Sequence, residues 1–113
     1  MNSKDRLIMQ KMLKYAREAL SYVEGMDYDA FIIDSKTLSA TAFVLGQIGE
    51  LAGIVSNEFQ STAVSINWRG MRGLRNRIVH DYEAVDLKML WDVIHIDLPE
   101  LLVQIENYLS EKK

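Results

Sequence analysis

Residues 4–24 read KDRLIMQKMLKYAREALSYVE, and the spacing of their apolar side chains predicts the fold class. The apolar positions recur every three or four residues, which places them on one face of an α-helix. They are Leu7, Ile8, Met12, Tyr15, Ala16, Ala19, Leu20 and Val23. Gly25 follows at once, and glycine commonly ends helices. We therefore expect an amphipathic helix at the start of the chain.

Helical spacing continues downstream of this first helix. A second helix is predicted from Ser35, its expected N-cap, to about Phe59, between a connecting segment and a polar loop. Asn67 is expected to cap a third helix that ends near His80. Asp86 is the expected cap of a fourth helix.

Three glycines interrupt the predicted second helix, at Gly46, Gly49 and Gly53. Each lowers helix propensity by about 1 kcal/mol relative to alanine. Such a cost is tolerated where a missing side chain lets another helix come close, and we favour this interpretation. A binding site that needs close approach to the backbone is the alternative.

Pro99 is expected in the first turn of a last helix that runs to about Ser110, because proline fits a first helical turn but not a helix interior. Asp97 is the expected N-cap, which puts a break near Ile96. Residues 93–96 also fit a short strand, but the sequence offers no partner strand of similar quality. The predicted architecture is an all-α bundle of four to five helices.

Length and composition restrict the protein classes. The 113 residues predict one domain spanning 1–113. A formal charge of −3, from 13 basic and 16 acidic residues, argues weakly against a general nucleic-acid binder. Cysteine is absent, which excludes disulfides and cysteine-based metal sites. We find no secretory signal and no uninterrupted apolar run of membrane-spanning length, so we expect a cytoplasmic protein without membrane contact.

The basic residues are concentrated in the predicted third helix. Arg69, Arg72, Arg75 and Arg77 lie there, and no acidic residue occurs from Gln60 to His80. Without these four, the remaining chain carries −7. Arginine binds phosphate oxygens through a planar fork of donors, so contacts with phosphates, such as those of a nucleic acid, are one expectation for this cluster. Pairing with carboxylates of neighbouring helices is the alternative.

His80 follows this cluster and is the candidate for proton transfer. RNA carries its own nucleophile, the 2′-OH. A histidine that takes the hydroxyl proton and an arginine that stabilises charge on the phosphate could therefore cleave RNA without a metal. The alternative is a structural role for a histidine at the negative end of a helix. For His95 we expect only a structural role.

Helix geometry separates two of the candidate residues. Arg75 and His80 lie about 140° apart around an ideal helix, whereas Asn76 and His80 share a face. Either the helix ends near His80 or two helices share the site. A symmetric homodimer that pairs this helix with its own copy would bring two sets of these residues together across a cleft.

Residues 75–82, RNRIVHDY, resemble the Arg-x4-His-x-Tyr motif of the HEPN superfamily and, more narrowly, of the HepT-like toxins. The likeness covers almost the whole chain. The other elements that match in order and spacing are Gln47-Ile48-Gly49-Glu50, Trp68-Arg69, Gly73-Leu74, Val85-Asp86-Leu87, Trp91-Asp92 and Asp97-Leu98-Pro99-Glu100-Leu101. A lone Arg-x4-His pair is common by chance, whereas the octapeptide within this frame is specific.

This resemblance implies a HEPN-type helical bundle, a homodimer and a metal-independent endoribonuclease toxin with no cofactor. Arg75 and His80 match the catalytic positions. Asn76 matches the polar position after the arginine, and we assign it to orienting His80 or the phosphate. Tyr82 matches the tyrosine that, in this family, accepts AMP from a separate minimal nucleotidyltransferase acting as antitoxin. The added charge and bulk would exclude an RNA phosphate.

Two carboxylates are candidate supporting groups. Glu50 matches a recurrent family residue, and it is expected to pair with an arginine, to support the dimer or to be an ordinary surface carboxylate. Asp81 adjoins His80 in the motif. The alternative function is a non-catalytic partner that presents substrate to the nucleotidyltransferase. The acidic net charge favours that alternative slightly, and the intact motif favours the ribonuclease.

Overall fold

The computed structural model describes residues 1–80 and 86–111. The helices are α1 (Ser3–Tyr22), α2 (Tyr28–Ile33), α3 (Ser35–Ile54), α4 (Asn57–Thr62), α5 (Trp68–His80), α6 (Leu87–Asp92) and α7 (Leu98–Ser110). A π-helical turn, Val93–Asp97, joins α6 to α7. These two ranges contain no strand, so the all-α prediction is confirmed and the alternative strand at residues 93–96 is wrong.

α3 is the central helix, because it packs against α1 and against α5. α1 in turn packs against α7. The largest fully buried side chains come from several elements and include Met9, Met12, Phe31, Ile94 and Ile105. Among the described elements, α5 contacts the bundle chiefly through α3. Residues 1–80 and 86–111 therefore leave one broad side of α5 uncovered.

α3 is long and apolar enough, by length and composition alone, to cross a membrane. It contains no long uninterrupted apolar run, because glycine and polar residues separate its apolar positions. Core helices of globular proteins pass the same test. Eight residues of α3 are buried within the bundle, which accounts for its apolar character.

Three predicted helix ends are confirmed. Asn67 Oδ1 accepts a hydrogen bond from the backbone N–H of Gly70 at 2.9 Å, which caps α5. Asp86 Oδ1 accepts from the N–H of Lys88 at 2.9 Å, which caps α6. Gly25 has a φ of 79°, a left-handed conformation that glycine adopts at little cost.

Two predictions for the segment that connects α1 to α3 are wrong. The N-cap of α3 is Asp34 rather than Ser35, since Asp34 Oδ1 accepts from the N–H of Thr37 at 3.0 Å. This backbone hydrogen bond lowers the pKa of the Asp34 carboxyl. The connecting segment itself contains α2, because Asp27 accepts from the N–H of Ala30 at 2.8 Å and starts a short helix.

The predicted second helix is too long, because a buried contact ends it at Ile54. The Asp5 carboxylate of α1 accepts hydrogen bonds from the backbone N–H of Ser56 at 2.9 Å and from its hydroxyl at 2.6 Å. The same hydroxyl oxygen accepts from the N–H of Phe59 at 3.1 Å and starts α4. Serine favours such caps over helix interiors. The polar loop predicted after Phe59 therefore begins as helix.

The predicted break near Ile96 is absent. The N–H of Leu98 donates to the carbonyl oxygen of Val93, and Asp97 has helical dihedral angles without a side-chain capping bond. Pro99 has no N–H, and its ring crowds the carbonyl four residues earlier in a regular α-helix. The wider π turn accommodates the proline without ending the helix. Asp97 is thus not a hydrogen-bonding N-cap.

Candidate functional site

The exposed face of α5 carries three of the predicted site residues. Arg69, Asn76 and His80 are separated by seven and four positions, so they align along one side of the helix. All three are exposed, whereas Ile78 on the other side is buried. This face points away from the core of the chain.

A close approach of α3 to α5 at Gly49 places Arg75. A Cβ added at Gly49 would meet the Cβ of Arg75 and would lie 2.5 Å from the carbonyl oxygen of Met71. The other two glycines of α3 also face side chains of α5, at ordinary contact distances. The prediction that these glycines allow close helix packing is therefore confirmed.

Arg75 is held by two polar neighbours. Its Nη2 donates to Glu50 Oε1 of α3 at 3.2 Å, and its Nη1 donates to Asn76 Oδ1 at 2.9 Å. The Arg75 side chain is 28% exposed and that of Glu50 53%. An ion pair at the surface contributes roughly 0–1 kcal/mol to stability, so its main effect here is orientation. Glu50 thus pairs with an arginine, which is one of the roles expected for it.

His80 is the last residue of α5 and is exposed. Its side chain forms no hydrogen bond or ion pair with the residues in the two described ranges. Arg75 turns towards Glu50 of α3 rather than towards His80. One copy of the chain therefore does not join the two catalytic candidates by a direct contact. Asp81 and Tyr82 lie outside the described residues.

The other three arginines have different surroundings. Arg72 is half-buried, and its Nη1 donates to Gln60 Oε1 of α4 at 3.0 Å. Arg69 and Arg77 are exposed and form no ion pair within the described part of the chain. Sequence reasoning missed Gln60, because no spacing relates a residue of α4 to the arginines of α5.

Arg77 faces a groove of about 460 Å³ between α5 and the α6–α7 segment. Apolar side chains such as Leu74 and Leu101 line much of it. Asp97 and Glu100 stand on the wall formed by the π turn and α7. Two carboxylates and one guanidinium line this groove, which makes it less attractive to a phosphate than a surface lined by arginines without carboxylates.

The arrangement is suited to binding an anion and transferring a proton. An exposed imidazole lies at the end of a helix that carries four guanidinium groups and no carboxylate. Among the described residues, no group of three or more histidine or acidic side chains is placed to hold a metal ion.

Comparisons with known proteins identify the family of this chain. The family model described as Ribonuclease HepT-like matches residues 12–108. The probable ribonuclease HepT of Thermococcus cleftensis is 33% identical over 94 residues, which cover 80% of this chain and 86% of that protein. No solved structure matches the chain.

Two further relatives cover nearly the whole chain. A protein of Methanocaldococcus jannaschii named "putative RNase" is 27% identical over 101 residues, with 89% of this chain and 93% of that protein aligned. A protein of Caldanaerobacter subterraneus with the same description is 25% identical over 108 residues, with 96% of each chain aligned. The family model covers most of the chain, and the chain therefore belongs to the HepT-like ribonuclease family.

Proposed function

We propose that this chain is a metal-independent endoribonuclease toxin that acts in the cytoplasm as a homodimer. The observation that carries the proposal is one basic helix, in a chain of a ribonuclease family, with an oriented Arg75 and an exposed His80. RNA is the substrate class that fits, because its 2′-OH supplies the nucleophile.

The proposed reaction needs a base and a group that stabilises negative charge. Neutral His80 accepts the proton of the ribose 2′-OH, and the 2′ oxygen attacks the adjacent phosphorus. The bond from phosphorus to the 5′ oxygen breaks, and that oxygen takes a proton from solvent. Arg75 stabilises the charge that builds up on the phosphate oxygens. The products are a 2′,3′-cyclic phosphate and a 5′-hydroxyl end.

The proposed site is shared by two copies of the chain. Arg75 turns towards α3, whereas His80 lies on the uncovered face of α5. Exposed apolar side chains border this surface: Phe43 and Ile54 on α3 and Val79 on α5 are each more than half exposed. Exposed apolar patches commonly mark protein contacts. A second copy covering them would bring its own α5 against the first.

The proposed antitoxin is a minimal nucleotidyltransferase that transfers AMP to Tyr82. The position of Tyr82, two residues after His80, supports this, because the added phosphate would repel RNA from the arginines. Mass spectrometry after co-expression with a minimal nucleotidyltransferase from the same genome is expected to show added AMP on wild type and none on Tyr82→Phe. A wild-type chain that stays unmodified would contradict this part of the proposal.

The ribonuclease is tested with purified protein and RNA in the presence of a chelator. Wild type is expected to cleave, and His80→Ala and Arg75→Ala are expected to lose about 100-fold or more in kcat/KM. Lys11→Ala removes an exposed charge of α1 and is the control for net charge. RNA left intact by folded wild type would reject the ribonuclease and favour the non-catalytic partner.

A further inference from the structure

A second concave surface lies between α4 and the start of α5. Its walls include Asn57, Ser61, Asn67, Arg69 and Arg72. None of the side chains that line it is a carboxylate, and two of them carry guanidinium groups. This α4–α5 pocket is therefore complementary to an anion, in contrast to the groove beside Arg77.

Gln60 holds Arg72 at the edge of this pocket. The Gln60 Nε2 group donates to the carbonyl oxygens of Val55 at 2.8 Å and Ala52 at 3.3 Å, at the end of α3. With the amide nitrogen committed to two acceptors, the amide oxygen must face the other way. It accepts from Arg72 Nη1 at 3.0 Å. The orientation of the Gln60 amide is thus fixed by its partners rather than by the Arg72 contact alone.

A neutral partner leaves the charge of Arg72 available. Arginine has five N–H donors, and Gln60 uses one of those on Arg72. Glu50, by contrast, places a negative charge against Arg75. Arg72 is therefore oriented and keeps its full positive charge, which is the combination that a phosphate-binding side chain needs.

The pocket stands on a fixed support. Asp5 is 2% exposed and binds both the backbone N–H and the hydroxyl of Ser56. Ser56 in turn starts α4, which carries Gln60. The position of Gln60 is therefore set by a buried contact with α1, and little ordering remains to be done when a ligand binds.

We propose that the α4–α5 pocket binds a backbone phosphate of the RNA substrate away from the cleaved bond, with Arg72 and Arg69 as ligands and Gln60 as a positioning residue. Eight positions of α5 separate Arg72 from His80, which corresponds to about 12 Å along the helix. At that distance from His80, the pocket would bind the phosphate of a nucleotide next to the cleaved bond. The inference rests on the proposed ribonuclease function and adds a subsite to it.

Substrate length tests the subsite. Arg72→Gln is expected to raise KM for an oligonucleotide of about a dozen residues about tenfold, with kcat unchanged, since it removes a charged hydrogen-bond donor. The same variant should cleave a dinucleotide, which spans only the scissile bond, as wild type does. The plot of log affinity against log salt concentration should become less steep, by about one unit of slope. Lys11→Gln, an equal charge change on α1, should alter none of these quantities.

Gln60→Met separates positioning from charge. It should raise KM for the long RNA while leaving the salt dependence close to that of wild type, because Arg72 keeps its charge. A merely structural role of Gln60 would lower the melting temperature and change long and short substrates alike, which would overturn the positioning role. Arg72→Gln retains Gln60 and its bonds to α3, so it tests the pocket even if Gln60→Met fails to fold.

Binding measurements keep the two proposals distinguishable. With His80→Ala protein, the dissociation constant of a fluorescent single-stranded RNA should rise about tenfold on adding Arg72→Gln. An unchanged constant would overturn the subsite, even in a protein that cleaves RNA. If wild type cleaves nothing, the proposed function fails, and this binding comparison still decides the subsite. Loss of nucleotidyltransferase binding with normal RNA binding would assign the pocket to a protein partner and overturn the inference.

Discussion

Glu50 and Gln60 hold two arginines of α5 by different chemistry. Glu50 is a carboxylate and compensates the charge of Arg75, while Gln60 is an amide and leaves the charge of Arg72 intact. Arg75 uses one donor on Glu50 and one on Asn76, so three of its five donors remain for a phosphate. Orientation and remaining donors together suit Arg75 for a single defined task, the stabilisation of charge during cleavage.

Loss of Glu50 should slow catalysis without unfolding the protein. In Glu50→Ala we expect kcat to fall about tenfold or more, since a misplaced catalytic group has effects of this size. KM should change little, and the free energy of unfolding should change by less than about 1 kcal/mol, as for other surface ion pairs. Glu50→Gln, which keeps an acceptor oxygen, should retain more activity. Steady-state kinetics and urea unfolding measure both effects.

A second surface ion pair provides the control for Glu50. Arg17 and Glu106 join α1 to α7 at 2.7 Å, away from α5. Glu106→Ala should therefore change stability by a similar small amount and leave kcat as in wild type. Equal activity of Glu50→Ala and Glu106→Ala would show that Glu50 has no role in orienting Arg75.

At the level of elements, the spacing of α3 and α5 depends on Gly49. In Gly49→Ala the new methyl group would collide with the Met71 carbonyl oxygen and with Arg75 Cβ. Both atoms are fixed to the backbone of α5, so the helix itself would have to shift. We expect a loss of about 1–3 kcal/mol in the free energy of unfolding, typical of overpacked contacts. Cleavage should fall as well, because Arg75 moves with α5. Chemical denaturation and activity assays measure the two losses.

Gly53 offers a matched substitution on the same helix. A Cβ at Gly53 would lie 3.7 Å from Arg72 Cδ, an ordinary contact. Gly53→Ala should therefore leave stability unchanged or raise it by up to about 1 kcal/mol through helix propensity. Similar destabilisation by both substitutions would show that helix packing at Gly49 is not especially tight.

Local sequence signals predicted some elements well and missed others for identifiable reasons. Periodic apolar residues and the cap at Asn67 predicted α1 and α5, since these depend on neighbours within a few positions. The start of α4 depends on the contact of Ser56 with Asp5, a residue 51 positions away. The contact of Gln60 with Arg72 likewise depends on the packing of α4 on α5 and is not predicted by local spacing. Tertiary contacts of this kind are not visible in local spacing.

Some features of the candidate site follow from local sequence, and others depend on tertiary contacts. The RNRIVHDY motif identified Arg75, Asn76 and His80, and spacing alone placed Asn76 and His80 on one face. The partner of Arg75 required the packing of α3 on α5, and it could not be chosen from the sequence among several carboxylates. The motif predicts that Asn76 orients His80 or the phosphate, and in the structure its amide oxygen accepts a hydrogen bond from Arg75 Nη1.

For the whole molecule, the net charge conceals an uneven distribution. Two copies of the chain carry −6 in total, yet α5 contributes four arginines and no carboxylate from each copy. An acidic body repels RNA in general, while a basic surface attracts it locally. We expect RNA binding to weaken steeply with rising salt, because phosphate contacts release counterions.

The inactive variants Arg75→Ala and His80→Ala should regain ribonuclease activity when one chain of each forms a heterodimer. In a composite site, Arg75 of one copy acts with His80 of the other, so a heterodimer of Arg75→Ala and His80→Ala chains keeps one intact site and loses the second. The purified heterodimer should therefore recover about half of the wild-type activity per dimer. Co-expression with two affinity tags, followed by RNA cleavage assays on the purified heterodimer, measures this. The separate homodimers should remain inactive. An inactive heterodimer beside an active wild-type dimer would show that each site uses both residues of one chain, and activity of a wild-type monomer would remove the need for a second copy.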